Sequence, residues 1–438
     1  MLKVNAFDQQ LANTLQAAER ELVERRARLL GPAYQLFYDQ PLHLVRGSGA
    51  SVFDREGKRY LDLYNNVQSV GHCHPRVVAA LAAQAGRLNV HTRYLHETVL
   101  DYAERLLATM PAELSHVMFT CTGSEANDLA LRIACDYTGG TGVIVTRYAY
   151  HGITSAVAAL SPSMGSYVPV AGDARLVPPP RHLPGTPQEV GRRFAAQVRE
   201  ALADMRRHGI KPAALLVDTL FTSDGVFADP PGFLAEAVAA VREAGAVLIA
   251  DEVQPGFGRT GSHFWGFERH GLVPDLVTLG KPMGNGHPLA GLAVKPEVLE
   301  RFAHHAAYFN TFGGNPVSAA VGLAVLEVIE EEHLMENARR VGAFIMAGLQ
   351  SLAGQVDGLG DVRGAGLFIG ADIVDGQGAP ATRRARSIVN AMRSEGFLIG
   401  AAGPASSVLK IRPPLCLGMR EAEHFLDGLG RVLRVSAL

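Results

Sequence analysis

Lys281 ends an apolar run within "DLVTLGKPMGNGHPLAG", Asp275 to Gly291, and is followed at once by glycines and prolines. An amine carried out of water in this way has a lowered pKa, and its neutral form can make a Schiff base with a carbonyl. The plainer alternative is a surface lysine lying along apolar neighbours; the lack of neighbouring charge favours the reactive reading. Asp251 closes a second apolar run, "AVLIADEVQ", with Glu252 and Gln254 beside it. A carboxylate at a desolvated strand end needs a cationic partner. A protonated pyridine nitrogen would be one, whereas a turn or helix cap would need none. A third run, "HVMFTCTGSEANDLALRIA", passes through Thr122, Gly123 and Ser124 into a helix. Its first N–H groups can hold an anion, although "SEAN" would also cap a helix without any ligand, and both uses stay open. Tyr150 follows the strand "VIVT" and so lies at the same sheet edge, either as a core-packing loop aromatic or as a platform for a flat ligand.

Three other patterns carry less. "GFGRTG", Gly256 to Gly261, matches a dinucleotide fingerprint, but no clear crossover helix follows it and Asp275 precedes the next strand instead of ending it. A phosphate-loop reading of Gly280-Lys281 fails because Pro282 follows where Ser or Thr is required. In "GHCHP", His72 and His74 would point the same way on an extended segment, yet no third ligand is near in sequence, so no metal site is expected.

The elements that position these residues follow from periodicity. Short apolar runs, "HVMFT", "VIVT", "AALLV", "AVLIAD", "DLVTL" and "LAGLAV", alternate with helical patterns such as "PRVVAALAAQAGRL" and "TVLDYAERLLATM". Such alternation predicts an α/β domain on a largely parallel sheet, where ligands bind at the carboxyl ends of strands. Residues 43–64 predict a small hairpin sheet, and "VAGDARLVPPPRHLPGTP" a proline-rich loop. The N-terminal stretch from Met1 reads as an amphipathic helix closed by Gly31 and Pro32. A long helical pattern from Pro316 to about Leu352 is interrupted near "EEEHLMEN", and the tail, "DVRGAGLFIGADIV" then "VLKIRPP" between helices, reads as a smaller α+β domain.

The 438 residues are 47% hydrophobic and 19% charged, which describes a folded globular chain of roughly two or three domains. A net charge of −2 offers no basic field for nucleic acid or anionic lipid. No apolar run of about 18 residues predicts a membrane span. Four cysteines without a CxxC suit a reducing, cytoplasmic setting, and the charged N-terminus lacks the apolar core of a signal peptide.

Taken together, "GSEAND", "YHG", "ADEVQPGFGRTG", "LGKP" and "NTFGGNP" resemble the class III (ω-amino acid) aminotransferases, and the likeness runs from "YLDLYNNVQSVGHCHP" to "VLKIRPPL". The resemblance implies a fold type I pyridoxal 5′-phosphate enzyme: an α/β large domain with a mostly parallel seven-stranded sheet, and a smaller α+β domain built from both chain ends. It implies boundaries at 1–74 for the N-terminal segment, 75–335 for the large domain and 336–438 for the C-terminal part. By motif position, Lys281 would hold the cofactor aldehyde and Asp251 would pair with the pyridinium nitrogen. Gly123 and Ser124 would bind the phosphate, Tyr150 and Val253 would cover the two ring faces, and Gln254 would bond the ring oxygen. Thr311 would reach the phosphate of a neighbouring subunit, which implies a homodimer with shared sites.

Departures from the general family pattern carry the substrate information. Where many members have Glu-Pro-x-Gln, "VDTLFTSDGV" places Asp218, Thr219 and Phe221; where many have an arginine for a substrate carboxylate, "VLKIRPPL" places Lys410, with Arg412 two residues on. The chain is most similar to the branch containing ethanolamine-phosphate and phosphohydroxylysine phospho-lyases. That resemblance implies elimination of phosphate from a phosphorylated amine, with an ω-aminotransferase as the alternative; a dinucleotide oxidoreductase, resting on "GFGRTG" alone, is a remote one. A phosphorylated substrate needs cationic or hydroxyl donors, and the candidates are Tyr38, Arg93, Lys410 and Arg412.

Overall fold

The computed structural model describes residues 5–180 and 186–435. The first strands, β1 (Leu44–Ser48), β2 (Ser51–Asp54) and β3 (Arg59–Asp62), form the antiparallel sheet expected over residues 43–64. The next seven are β4 (His116–Thr120), β5 (Gly142–Thr146), β6 (Ala174–Val177), β7 (Pro212–Asp218), β8 (Val247–Asp251), β9 (Leu276–Leu279) and β10 (Ala290–Val294). They make one sheet in the order β4-β10-β9-β8-β7-β5-β6, parallel except for β10, which runs against both neighbours. Every residue of β5, β8, β9 and β10 is buried. That is why these strands read as unbroken apolar runs instead of alternating ones, since helices cover both faces of such a sheet. Each Leu, Ile or Val so buried contributes about 1.5–3 kcal/mol.

Parallel register brings the reactive positions together. Asp218 lies opposite Asp251 on β7 and β8, and Asp251 opposite Thr278 on β8 and β9, so the ends of three strands converge on one edge. The helix Gly123–Thr138 packs across β7, β9 and β10. Its buried Asn127 donates to Asp251 Oδ2 at 3.1 Å and accepts from Thr278 Oγ1 at 2.8 Å, tying the helix to those ends.

The tail forms a second antiparallel sheet in the order β11-β12-β15-β14, from β11 (Leu359–Ala365), β12 (Phe368–Ile373), β14 (Gly400–Ala402) and β15 (Val408–Ile411). The short β13 (Phe397–Leu398) pairs instead with β3, joining the two chain ends. The helical pattern after Pro316 divides into Pro316–Glu331 and Leu334–Ala353 at His333, whose φ is 52°.

Three expectations are corrected. The segment read as a proline-rich loop contains β6, the edge strand beside β5; four residues with two half-buried are too short to show a period, and Arg181 to Gly185 of that reading lie outside the described residues. The N-terminal helix covers only Ala17–Leu30, capped by Gly31 at φ 74°, after a 3₁₀ turn at Gln9–Thr14; the reading's Met1 to Val4 lie outside the described residues. His72 and His74 do not point the same way, because Cys73 takes φ 51°. His72 Nε2 meets Asp62 at 2.7 Å, and His74 Nε2 meets Glu332 at 3.0 Å. The "GFGRTG" run is not followed by a helix of the dinucleotide kind. Its Arg259 is buried and donates to the carbonyls of Leu367 and Pro413, clasping the C-terminal sheet to the large one.

Candidate active site

A cavity of about 350 Å³ opens at the carboxyl edge of the large sheet, lined by Gly123, Ser124, Tyr150, Asp251, Val253, Gln254 and Lys281, with Asp218 and His287 among its other walls. Seven residues singled out from sequence therefore share one space. Lys281 enters from β9 through Gly280 and has φ 24°, a backbone position that side-chain-bearing residues seldom hold and that the packed surroundings must enforce. Burial pulls its ammonium down to about 8, helped by the Arg412 charge and opposed by Asp251 and Asp218.

Asp251 is held on both oxygens. Oδ1 accepts from the Val253 amide at 3.1 Å; Oδ2 accepts from Asn127 and lies 2.7 Å from His151 Nδ1. His151 is buried and its Nε2 has no partner among the described residues, which makes it a fixed second layer behind the carboxylate. In the sequence only its place directly after Tyr150, in "YHG", signals this histidine, and no role follows from that alone.

The cap question is decided by geometry. Thr122 is the N-cap: its hydroxyl accepts from the Glu125 amide at 3.2 Å, and Glu125 Oε2 accepts from the Thr122 amide at 2.8 Å. Ser124 is thus released from capping; its Oγ accepts from the Ile153 amide at 3.1 Å, beside the cavity. The N–H groups of Gly123 and Ser124 sit in the first helical turn, where no intrahelical acceptor exists, and they form the positive end of the helix dipole. Two glycines keep the cradle open. A Cβ on Gly123 would come within 2.8 Å of Val253, and one on Gly152, at φ 145°, within 2.5 Å of Ser124 Oγ.

Of the three departures at the end of β7 and just beyond it, only Asp218 reaches the cavity. Thr219 turns inward and donates to buried Glu252 at 2.6 Å, while Phe221 packs its ring against Phe194 and Phe233. Asp218 Oδ1 accepts from the Leu220 amide at 3.0 Å, and its Oδ2 accepts from the amide and hydroxyl of Thr222. Burial and the Asp251 charge push its carboxyl up. Asp224, which the sequence reading also passed over, accepts from Thr146 Oγ1 at 2.7 Å and from the Tyr148 amide at 3.1 Å. It thereby anchors the turn that presents Tyr150. Burial raises its carboxyl to about 7.

The four substrate candidates separate. Lys410 and Arg412 are both buried, on β15 and just beyond it, and neither is part of the cavity wall; Arg412 reaches that wall through Gln254. Arg412 Nη1 donates to Asn66 at 3.0 Å and to Gln254 Oε1, and Lys410 Nζ lies 5.5 Å from the Phe368 ring centre. Burial and the Arg412 charge lower the Lys410 ammonium strongly. Tyr38 is not brought to the site: its hydroxyl donates to the Ile399 carbonyl at 3.1 Å and it lines a separate cavity with Asp62 and Tyr64. Arg93 is exposed, its guanidinium 3.8 Å from the Phe309 ring centre, and does not line the site. Thr311 is exposed and also stands outside the cavity wall.

These residues fit pyridoxal phosphate. A partly desolvated amine, a second-layer-supported carboxylate, an aromatic and an aliphatic wall and a capped helix terminus with free N–H groups line one cavity. No cluster of His, Cys, Asp and Glu able to hold a metal occurs among the described residues.

Comparison with known proteins agrees with that geometry. The family described as Aminotransferase class-III matches residues 35–433. A Drosophila melanogaster protein named alanine–glyoxylate aminotransferase 2-like is 40% identical over 95% of this chain and 88% of its own. The ethanolamine-phosphate phospho-lyase homolog 1 of Caenorhabditis elegans is 35% identical over 95% of this chain and 94% of its own. Among solved structures, a phospholyase from Arthrobacter in complex with phosphoethanolamine superposes with a TM-score of 0.91 at 42% identity, over 94% of this chain and 99% of that one. The chain belongs to the class-III aminotransferase family, enzymes of pyridoxal 5′-phosphate.

Proposed function

We propose that the protein is a phospho-lyase that converts O-phosphoethanolamine, or a related phosphorylated amine, with one water into an aldehyde, ammonia and inorganic phosphate. One observation carries this reading. Lys410 and Arg412 are buried together near Lys281, since the Arg412 charge bears on both ammonium groups and that of Lys281 on Lys410, and Arg412's side-chain hydrogen bonds go to the neutral oxygens of Asn66 and Gln254. A buried guanidinium bonded to neutral oxygens, with a lysine beside it, suits a phosphate dianion. The likeness to the Arthrobacter phospholyase supports it.

When bound, pyridoxal phosphate supplies an electron sink that acidifies the carbon next to the substrate nitrogen. In this reading the Lys281 amine takes that proton, and Asp251, backed by His151 and Asn127, keeps the ring nitrogen protonated. Tyr150 and Val253 confine the ring, and the N–H groups of Gly123 and Ser124 hold the cofactor phosphate. Lys410 and Arg412 hold the substrate phosphate and stabilise the charge that grows on it as it leaves. Thr311 reaches the neighbouring subunit's cofactor phosphate in a homodimer. We divide the chain at 1–74, 75–335 and 336–438, with the pairing of β13 and β3 as support for the first and last acting together. A cytoplasmic location belongs to the same proposal, supported by four cysteines that form no disulfide. Among the described residues no helix is long and apolar enough to cross a membrane.

Purified protein incubated with O-phosphoethanolamine should release phosphate and acetaldehyde in equal amounts with no keto acid present. Absence of phosphate, together with turnover of an amine that requires pyruvate or 2-oxoglutarate, would establish the ω-aminotransferase instead. A second expectation concerns pH. Only the neutral Lys281 amine can capture the cofactor aldehyde, so the rate of pyridoxal phosphate uptake by the cofactor-free chain should rise with pH through a midpoint near 8. A midpoint near the ordinary lysine value of about 10.4 would show that the amine is not desolvated.

A further inference from the structure

Behind the cavity wall, a chain of hydrogen bonds joins the C-terminal sheet to the end of β7. Arg412 Nη1 donates to Gln254 Oε1, Gln254 Nε2 donates to Thr222 Oγ1 at 2.7 Å, and the Thr222 hydroxyl donates to Asp218 Oδ2. Its direction is set at both ends. A guanidinium has donors only, so the amide atom facing Arg412 must be the oxygen. At the far end, Asp218 accepts from the Leu220 and Thr222 amides as well as from the hydroxyl. Thr222 has one hydroxyl proton and gives it to that carboxylate, so toward Gln254 it can only accept. Thr222 is fully buried and does not line the cavity, whereas Asp218 and Gln254 do. The amide nitrogen of Gln254 has two protons and the chain uses one. The other has no acceptor among the described residues, and Gln254 lines the cavity.

We propose that Thr222 and Asp218 are positioning residues that lock the Gln254 amide in one orientation, so that its remaining Nε2–H is presented to an oxygen of the bound ligand. The inference rests on the cofactor reading, in which that oxygen belongs to the pyridoxal ring. It also gives a use to the "DTLFTS" departure from the family pattern: a short acid at 218 and a hydroxyl at 222 reach each other across one turn, and the hydroxyl holds Gln254. Without the hydroxyl, Gln254 Nε2 loses its fixed acceptor. The amide is then held by Arg412 alone and can swing about that single bond.

The test uses the full chain loaded with pyridoxal phosphate and follows the pH titration of its absorbance band, its cofactor dissociation constant and its thermal midpoint. Thr222→Val keeps the shape and removes the hydroxyl. It is expected to weaken cofactor retention about fivefold, the effect of one hydrogen bond of about 1 kcal/mol, and to move the titration midpoint by about half a pH unit or more. Thr222→Ser should restore both, and Asp218→Asn should weaken cofactor retention as Thr222→Val does; retention is the readout for that variant, because the charge it removes also acts on Lys281. Should Thr222→Val melt early, the Ser and Asn variants still decide. The inference is overturned if Thr222→Val matches wild type in retention and midpoint, or, where it does not fold, if Asp218→Asn matches in retention, while Gln254→Ala changes both. A wild-type protein that binds no cofactor would overturn the cofactor reading and this one together. A wild-type protein that binds cofactor yet releases no phosphate would overturn only the phospho-lyase proposal, and the relay would still be read from the band.

Discussion

Lys281→Ala is expected to lower turnover by at least about 10³-fold, because both the covalent anchor and the proton-transferring amine are lost. The loaded wild-type protein should show an absorbance band that borohydride bleaches with permanent attachment of the cofactor, and the variant should show no such attachment. The fold should survive. The side chain makes none of the hydrogen bonds described above, and its removal relieves a cation that burial already disfavours. Retained borohydride attachment in the variant would move the anchor to another amine. Lys410 is the alternative nearest to hand, being buried within electrostatic reach of Lys281.

Asp251→Asn should cost about 10²–10³-fold in turnover while changing the shape of the site little. The carboxylate accepts from Asn127, His151 and the Val253 amide. An amide in its place has one acceptor oxygen for those three donors and no charge with which to keep a ring nitrogen protonated. The deficit should fall on the chemical step more than on substrate affinity, so kcat should drop further than KM rises. A variant within threefold of wild type in kcat would remove Asp251 from the chemistry and leave it as a structural acceptor for His151. His151 cannot take over, since its ring is held behind the carboxylate and buried.

Much of this was legible because the sheet is parallel and covered on both faces. The runs ending in Asp251 and Lys281 and the run entering Gly123 announce buried strands by being apolar throughout, and in a parallel sheet every such strand delivers its last residue to the same edge. β6 was missed for the converse reason. "ARLV" is an edge strand with two half-buried residues, and nothing in four residues distinguishes it from the prolines around it. Tyr38 and Arg93, which chemical type alone nominated, do not line the cavity of this chain. A phenol in a polar cluster and an exposed guanidinium satisfy the same search as a phosphate-binding group until distances are known.

The identity of the reactive groups was contained in the chain's linear order. Lysine, aspartate and the Gly-Ser turn each sit at the boundary between an apolar run and a turn, and local sequence dictates such boundaries because backbone polar groups must leave the core together with the strand that carries them. Pairings between distant segments were decided only in three dimensions. Thr122, and not Ser124, caps the helix, which leaves Ser124 to the cavity. His151 stands behind Asp251, 100 residues away in the chain, and Arg412 meets Gln254 across 158 residues. No spacing rule links positions so far apart; they meet because packing closes one sheet against the other, and a side chain's hydrogen-bond partner is fixed by that closure.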